Sequence, residues 1–393
     1  MKQSLLFPLL LVLALPAAAT DYYLVGNGDA QSGSNSSFSG GGNPAGWSTT
    51  ATGTASATKV EDSDGIYHMN GLASFSVPAN YPTSYEANYK GVRVPTAAAN
   101  SGKSYVFGGH QLVFDGGFSF INDKLESNNQ NAVLRIDNLL VKSGSYGEIR
   151  HGDDGSGQDR LKYLAGNRWE VEEGGKFLLS LDAKGRRTFQ CDATVVGRGT
   201  FGTGVGAGAT ASFTSSNYGT VTFSGDLSGF EGVFATMESS PAFSGSTTTI
   251  LNAMPYLKTV IAAASALPVS TPDGDVMLGS VCVTNGATLS FTCDATSPDI
   301  RGWTFGSGAV PTVDVASGKT VYVYGPVAGT VGFKKTGAGT LVLNVGGEGA
   351  YDTIALTGES TVTAATLNAY AAQCEQWLED RNSAGAPSTI FFY

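Results

Sequence analysis

The segment Val331-Gly-Phe-Lys-Lys-Thr-Gly-Ala-Gly-Thr-Leu-Val-Leu-Asn344 constrains the fold most. A short apolar strand runs into a Thr-Gly-Ala-Gly-Thr turn, and a second strand over 341–343 follows at once. A unit this small cannot bury a face alone. It needs neighbours stacked on it, so it reads as one rung of a repeating structure.

A second spacing recurs: Val, two residues, Gly, two residues, apolar. It occurs as Val171-Glu-Glu-Gly174-Gly-Lys-Phe177, as Val283-Thr-Asn-Gly286-Ala-Thr-Leu289 and as Val315-Ala-Ser-Gly318-Lys-Thr-Val321. The glycine suits a turn with positive φ, and the flanking apolar residues point into a shared core. Val283 and Val315 lie 32 residues apart, an interval that reads as one structural repeat. Strand signals also fill 105–109, 111–114, 117–121, 132–136 and 138–141. In 217–234, Val221, Phe223, Leu227, Phe230 and Phe234 supply core positions.

These units resemble the strand repeat of autotransporter passenger proteins, over roughly residues 105 to 365. The resemblance implies an all-β fold, a right-handed single-stranded parallel β-helix with terminal caps, and an exported, surface-displayed protein. Roughly a dozen rungs of about 25 residues would fit. In one respect the chain departs from the family. Autotransporters end in a membrane-embedded barrel, and no barrel-sized segment follows the repeats here.

The domain organisation follows. Residues 1–19 read as a signal peptide: Lys2, an apolar run over 5–15, then Ala17-Ala18-Ala19 before Thr20. Residues 20–104 form an irregular amino-terminal cap and first rungs, and 105–364 the rungs proper. Residues 365–393 hold a helical cap and a tail. In this last part Leu367, Tyr370, Cys374, Trp377 and Leu378 fall at helical spacing, and the stripe is expected to lie across 354–362.

Charged residues make up 14% of the chain and the formal charge is −10. That balance argues against nucleic acid, which needs clustered Lys and Arg. Of the four cysteines, Cys191, Cys282, Cys293 and Cys374, strand parity sets Cys282 and Cys293 on opposite faces and disfavours their pairing. The simplest reading is buried thiols without zinc spacing. No later segment is long and apolar enough to span a membrane.

One loop could carry chemistry. Arg150-His-Gly-Asp-Asp-Gly-Ser-Gly-Gln-Asp-Arg-Leu-Lys162 brings Asp153, Asp154, Asp159 and Arg160 together. Paired carboxylates there could cleave a glycosidic bond, or hold Ca²⁺ while a base abstracts a proton from an acidic sugar. Turn chemistry explains the same residues without catalysis. Glu61-Asp-Ser-Asp-Gly65 and Asp273-Gly-Asp275 could bind Ca²⁺, but each lacks the full loop with a downstream acid and is read as a turn, and His68 and His110 are read as isolated. Tyr81, Tyr85 and Tyr89 could stack on sugars. The expected function is non-catalytic, structural or adhesin-like, with no cofactor, no metal and carbohydrate or matrix components as partners. The alternative is a polysaccharide-active enzyme, lyase or hydrolase, using residues 150–162.

Overall fold

The computed structural model describes residues 19–25, 47–53, 62–71, 91–93, 104–123, 132–151, 160–181, 187–206, 218–239, 254–306, 308–346, 353–385 and 390–392. The chain is predominantly β, and successive strands go to three different faces in rotation. Phe118–Asp123 lies in one sheet, Ala132–Arg135 in a second and Asn138–Val141 in a third, before Tyr146–His151 returns to the first. The first sheet stacks nine strands from Gly91–Arg93 to Val327–Gly329. The second runs from Ser104–Val106 to Phe333–Thr336. Neighbours in both are parallel and in register, as Tyr146 with Lys176 and Lys176 with Thr200. Among the described residues this path holds nine strands against the dozen rungs expected, and the interval between successive strands varies from 22 residues, Val281 to Trp303, to 47, Phe234 to Val281. Tyr146 to Lys176 is 30 residues and Thr200 to Val233 is 33.

The third face is interrupted. Its first part runs from Asp21–Leu24 to Val195–Gly197, and its second begins at Ala295–Ser297. Between them only single bridges, Thr194 to Asp226 and Gly197 to Phe230, continue the pairing among the described residues. The 3₁₀ turns Ala264–Ala266 and Pro272–Gly274 lie in this stretch.

The recurring Val–Gly–apolar spacing is a corner. Gly174, Gly286 and Gly318 have φ of 77°, 79° and 71°, which an L side chain rarely adopts. Val171 to Phe177 turns from the third face to the first sheet. Val283 to Leu289 turns from the first sheet to the second, and Val315 to Val321 from the second to the third. One seven-residue solution therefore serves all three corners. The 32-residue interval joins two different corners and is not a repeat length, which corrects the expectation.

Inward residues stack between circuits. Phe177, Phe201, Phe234, Val281, Trp303 and Val327 form one row by register. The rings of Phe177 and Phe201 lie 6.3 Å apart and 12° from parallel. Each such side chain contributes about 1.5–3 kcal/mol through burial. Val283, Leu289, Val315, Val321, Phe333, Leu341 and Leu343, expected in the core, are all buried.

Both described ends change hand of pairing. Trp47–Ser48 pairs antiparallel with Asp21–Leu24. At the other end Ile354–Thr357 closes the third face on Thr340–Leu343, and Ser360–Val362 closes the second sheet on Phe333–Thr336. Antiparallel closure breaks the parallel template that an open edge would offer. Helix Ala364–Ser383 follows, capped by Thr363, whose Oγ1 accepts from the Thr366 amide at 3.1 Å. It buries Leu367, Tyr370, Cys374 and Trp377. Its main packing is on Val327–Gly329, the last strand of the first sheet, and not on 354–362 as expected. The two antiparallel strands already close the other faces, so the helix takes the one left. The Val345 amide donates to Tyr370 Oη at 2.9 Å, and Arg381 Nη1 to Asp299 Oδ2 at 3.2 Å. Ile390–Phe392 then returns to pair with Val276–Leu278.

Candidate functional site

Of the acidic–basic loop, Asp153, Asp154 and Asp159 lie outside the described residues, and Arg160 opens strand Arg160–Ala165. Its described flanks are buried, His151 and Lys162 on inward rows and Arg150 on the outward row of the first sheet, in register with Ser180. Arg150 is fully buried in an ion pair with Glu148, and its guanidinium lies 4.1 Å from the Phe120 ring centroid. Ser180 Oγ donates to Glu148 Oε2 at 3.1 Å. His151 is buried beside the Phe189 ring at 5.2 Å. Lys162 is buried in the row of Phe189. All three bases are buried.

Two other candidates sit in turns. Asp62 Oδ1 accepts from the Asp64 amide at 3.0 Å, a turn contact. Asp273 sits in a 3₁₀ turn with φ 48°. No group of three His, Cys, Asp or Glu close enough to hold a metal occurs among the described residues. Tyr81, Tyr85 and Tyr89 fall outside them. His68 is not isolated: Nδ1 lies 2.6 Å from Asp115 and Nε2 3.3 Å from Asp21. Burial opposes its charge, but the two carboxylates outweigh burial and raise its pKa. The reading missed it because Asp21 and Asp115 are distant in sequence and meet only through strand register.

Two buried cations were also missed. Lys335 alternates inward with Phe333, and its Nζ donates to the carbonyls of Thr336, Gly337 and Gly358 at 2.7, 2.9 and 3.2 Å. Arg301 Nη1 donates to Ser270 O at 2.6 Å and Phe230 O at 3.3 Å. Its Nη2 donates to Gly232 O at 2.6 Å and Ser280 O at 3.3 Å. Its carbonyls belong largely to the stretch where the third face has lost its strands. One guanidinium there does the work of missing ladder bonds.

The four cysteines are free thiols. Cys191 and Cys374 are buried and Cys293 partly so, while Cys282 faces outward between the buried Val281 and Val283. Burial pushes the Cys191 thiol up to about 12 and Cys282 to about 11. Neither is a nucleophile near neutral pH.

The outward side of the first sheet carries a hollowed surface. A cavity of about 550 Å³ is lined by Lys176, Thr200, Val233, Ala235, Glu238 and Thr284, among others. A second, of about 600 Å³, shares Thr200 and Val233 and reaches Ser143, Glu173 and Arg198 over the corner. The two adjoin at Thr200 and Val233, a trough in two parts. Local backbone explains it. A bulge between Gly202 and Gly204 sets Thr236 and Met237 against a single residue, Thr203. Met237 takes φ 53°, and its amide donates to Thr203 Oγ1 at 2.8 Å. The bulge places Glu238 beside Gly204, on the outward row. Gly202 occupies the row between Lys176 and Glu238 and presents no side chain, so Lys176 Nζ reaches Glu238 Oε1 at 2.6 Å. Arg198 Nε likewise holds Glu231 Oε2 at 2.9 Å. Gly202 and Gly204, outward on this strand, present no side chain to the face.

Comparison with protein-family models, with curated proteins and with solved structures found no match. No helix among the described residues is long and apolar enough to cross a membrane.

Proposed function

We propose that this chain is an exported right-handed parallel β-helix that acts without catalysis. Its role is structural or adhesin-like, displaying its outer faces to glycan, matrix or cell-surface partners. The rotation of strands among three parallel faces supports the solenoid. A strand–crossover–strand connection between parallel neighbours is right-handed in nearly all sheets, which supports the hand. The leader over 1–19 supports export. The observation that carries the functional reading is the trough on the first sheet: a surface of hydroxyls and paired charges built on a rigid stack. The burial of Arg150, His151 and Lys162 weighs against the enzyme reading of loop 150–162.

The test is a paired assay on the purified chain. It is expected to be retained on immobilised glycans or cell surfaces, and to release no product from polygalacturonate, alginate or neutral glycans with or without Ca²⁺. Turnover that disappears in Asp153→Ala or Asp154→Ala would replace this reading with the enzyme.

A further inference from the structure

The trough has a chemical signature of its own. Its cations are already partnered: Lys176 by Glu238 and Arg198 by Glu231. An anionic ligand would have to break these pairs, so charge gives it no advantage. In the part of about 550 Å³ the remaining polar groups are hydroxyls and an amide, from Thr200, Thr236, Ser239, Thr284 and Asn285, while the Glu173 carboxylate lines the other part. The hydroxyls and the amide both donate and accept. Val233 and Ala235 add an aliphatic floor. Burial holds the Cys282 thiol up at about 11, so it brings no charge at neutral pH.

A peptide adding as a strand would need a sheet edge, whereas this trough lies on a face. It runs across the circuits, from the strand of Lys176 through those of Thr200 and Val233 to that of Cys282. Three strand spacings of ~4.8 Å make it roughly 14 Å long, more than one sugar ring.

We infer that this trough binds an uncharged oligosaccharide along the stacking direction. Lys176 and Glu238 act as a donor–acceptor pair for adjacent ring hydroxyls, and Val233 lies beneath the C–H face of a ring. The inference rests on the reading of the chain as a surface-display protein and names the ligand class of that surface.

Titration calorimetry with cellohexaose, mannohexaose and xylohexaose, and with a polygalacturonate oligomer as the charged control, tests it. At least one neutral hexasaccharide should bind saturably, with affinity unchanged between low and high salt. Glu238→Gln, which keeps the shape and removes the charged acceptor, should weaken binding about tenfold or more. Thr284→Arg, on the outward face, should abolish it by filling the trough. Circular-dichroism melts establish that both variants fold. Failure of all three neutral sugars, or tighter salt-sensitive binding of polygalacturonate, overturns the inference. Sugar binding untouched by both substitutions also overturns it, but leaves the surface-display reading standing. Loss of retention on every glycan and cell surface would remove that reading as well.

Discussion

Leu341→Asp lowers the unfolding free energy by roughly 4–5 kcal/mol, the largest single loss expected for a strand position. Leu341 is fully buried and stands in register between Val321 and Leu356. An aspartate there would enter an apolar stack, and the alternation of strand Thr340–Leu343 gives it no route to water. The neighbouring Val342 faces the other way, between Tyr322 and Ala355. Val342→Asp should therefore cost no more than about 1 kcal/mol. Denaturant unfolding of the two variants checks the pair. Equal losses would mean that the strand does not alternate as described.

Arg301→Met should cost about 3–5 kcal/mol. The substitution keeps much of the aliphatic stem but removes every donor, leaving the carbonyls of Phe230, Gly232, Ser270 and Ser280 without this partner. These groups lie 21 to 71 residues from Arg301 in sequence, so the loss should spread. Hydrogen exchange should quicken over 226–232 and 264–280 before it changes in the aromatic row at Phe177 and Phe201. Arg301→Lys should rescue little, because a single ammonium cannot span four carbonyls in a fixed fork. Wild-type stability in Arg301→Met would show that the interrupted face is held by something else.

These two residues also show what the sequence discloses. Leu341 was legible: period-2 alternation beside a glycine turn marks it as inward from local pattern alone. Cys282 was legible by the same parity. Arg301 was not. Its role arises from a gap in the third face, and that gap is visible only once strands are assigned to sheets. The corner spacing was read correctly as a turn, but its recurrence was mistaken for a period. Seven residues reveal a bend without revealing which of three bends it is.

The trough was illegible for a related reason. Lys176 and Glu238 are 62 residues apart. They meet because one circuit intervenes and a bulge re-aims the later strand. The helix was legible in the spacing of Leu367, Tyr370, Cys374, Trp377 and Leu378, all within Ala364–Ser383, but not in its seat. Where it docks depends on which faces the antiparallel strands have already closed.

The central claim is that successive circuits stack in register on three faces. Pairs of engineered cysteines test it directly: Thr220 with Lys258 on the second sheet, Thr304 with Ala328 on the first, and Thr296 with Tyr322 on the third face. Parallel neighbours ~4.8 Å apart lie within disulfide reach. All three pairs should cross-link on mild oxidation of the folded chain, as mapped by peptide mass spectrometry. A control pair shifted by one residue, Thr296 with Val321, should not, because Val321 points into the core. Cross-linking of the shifted pair in preference to the registered one, or of none of the three, would contradict the stacked three-faced architecture.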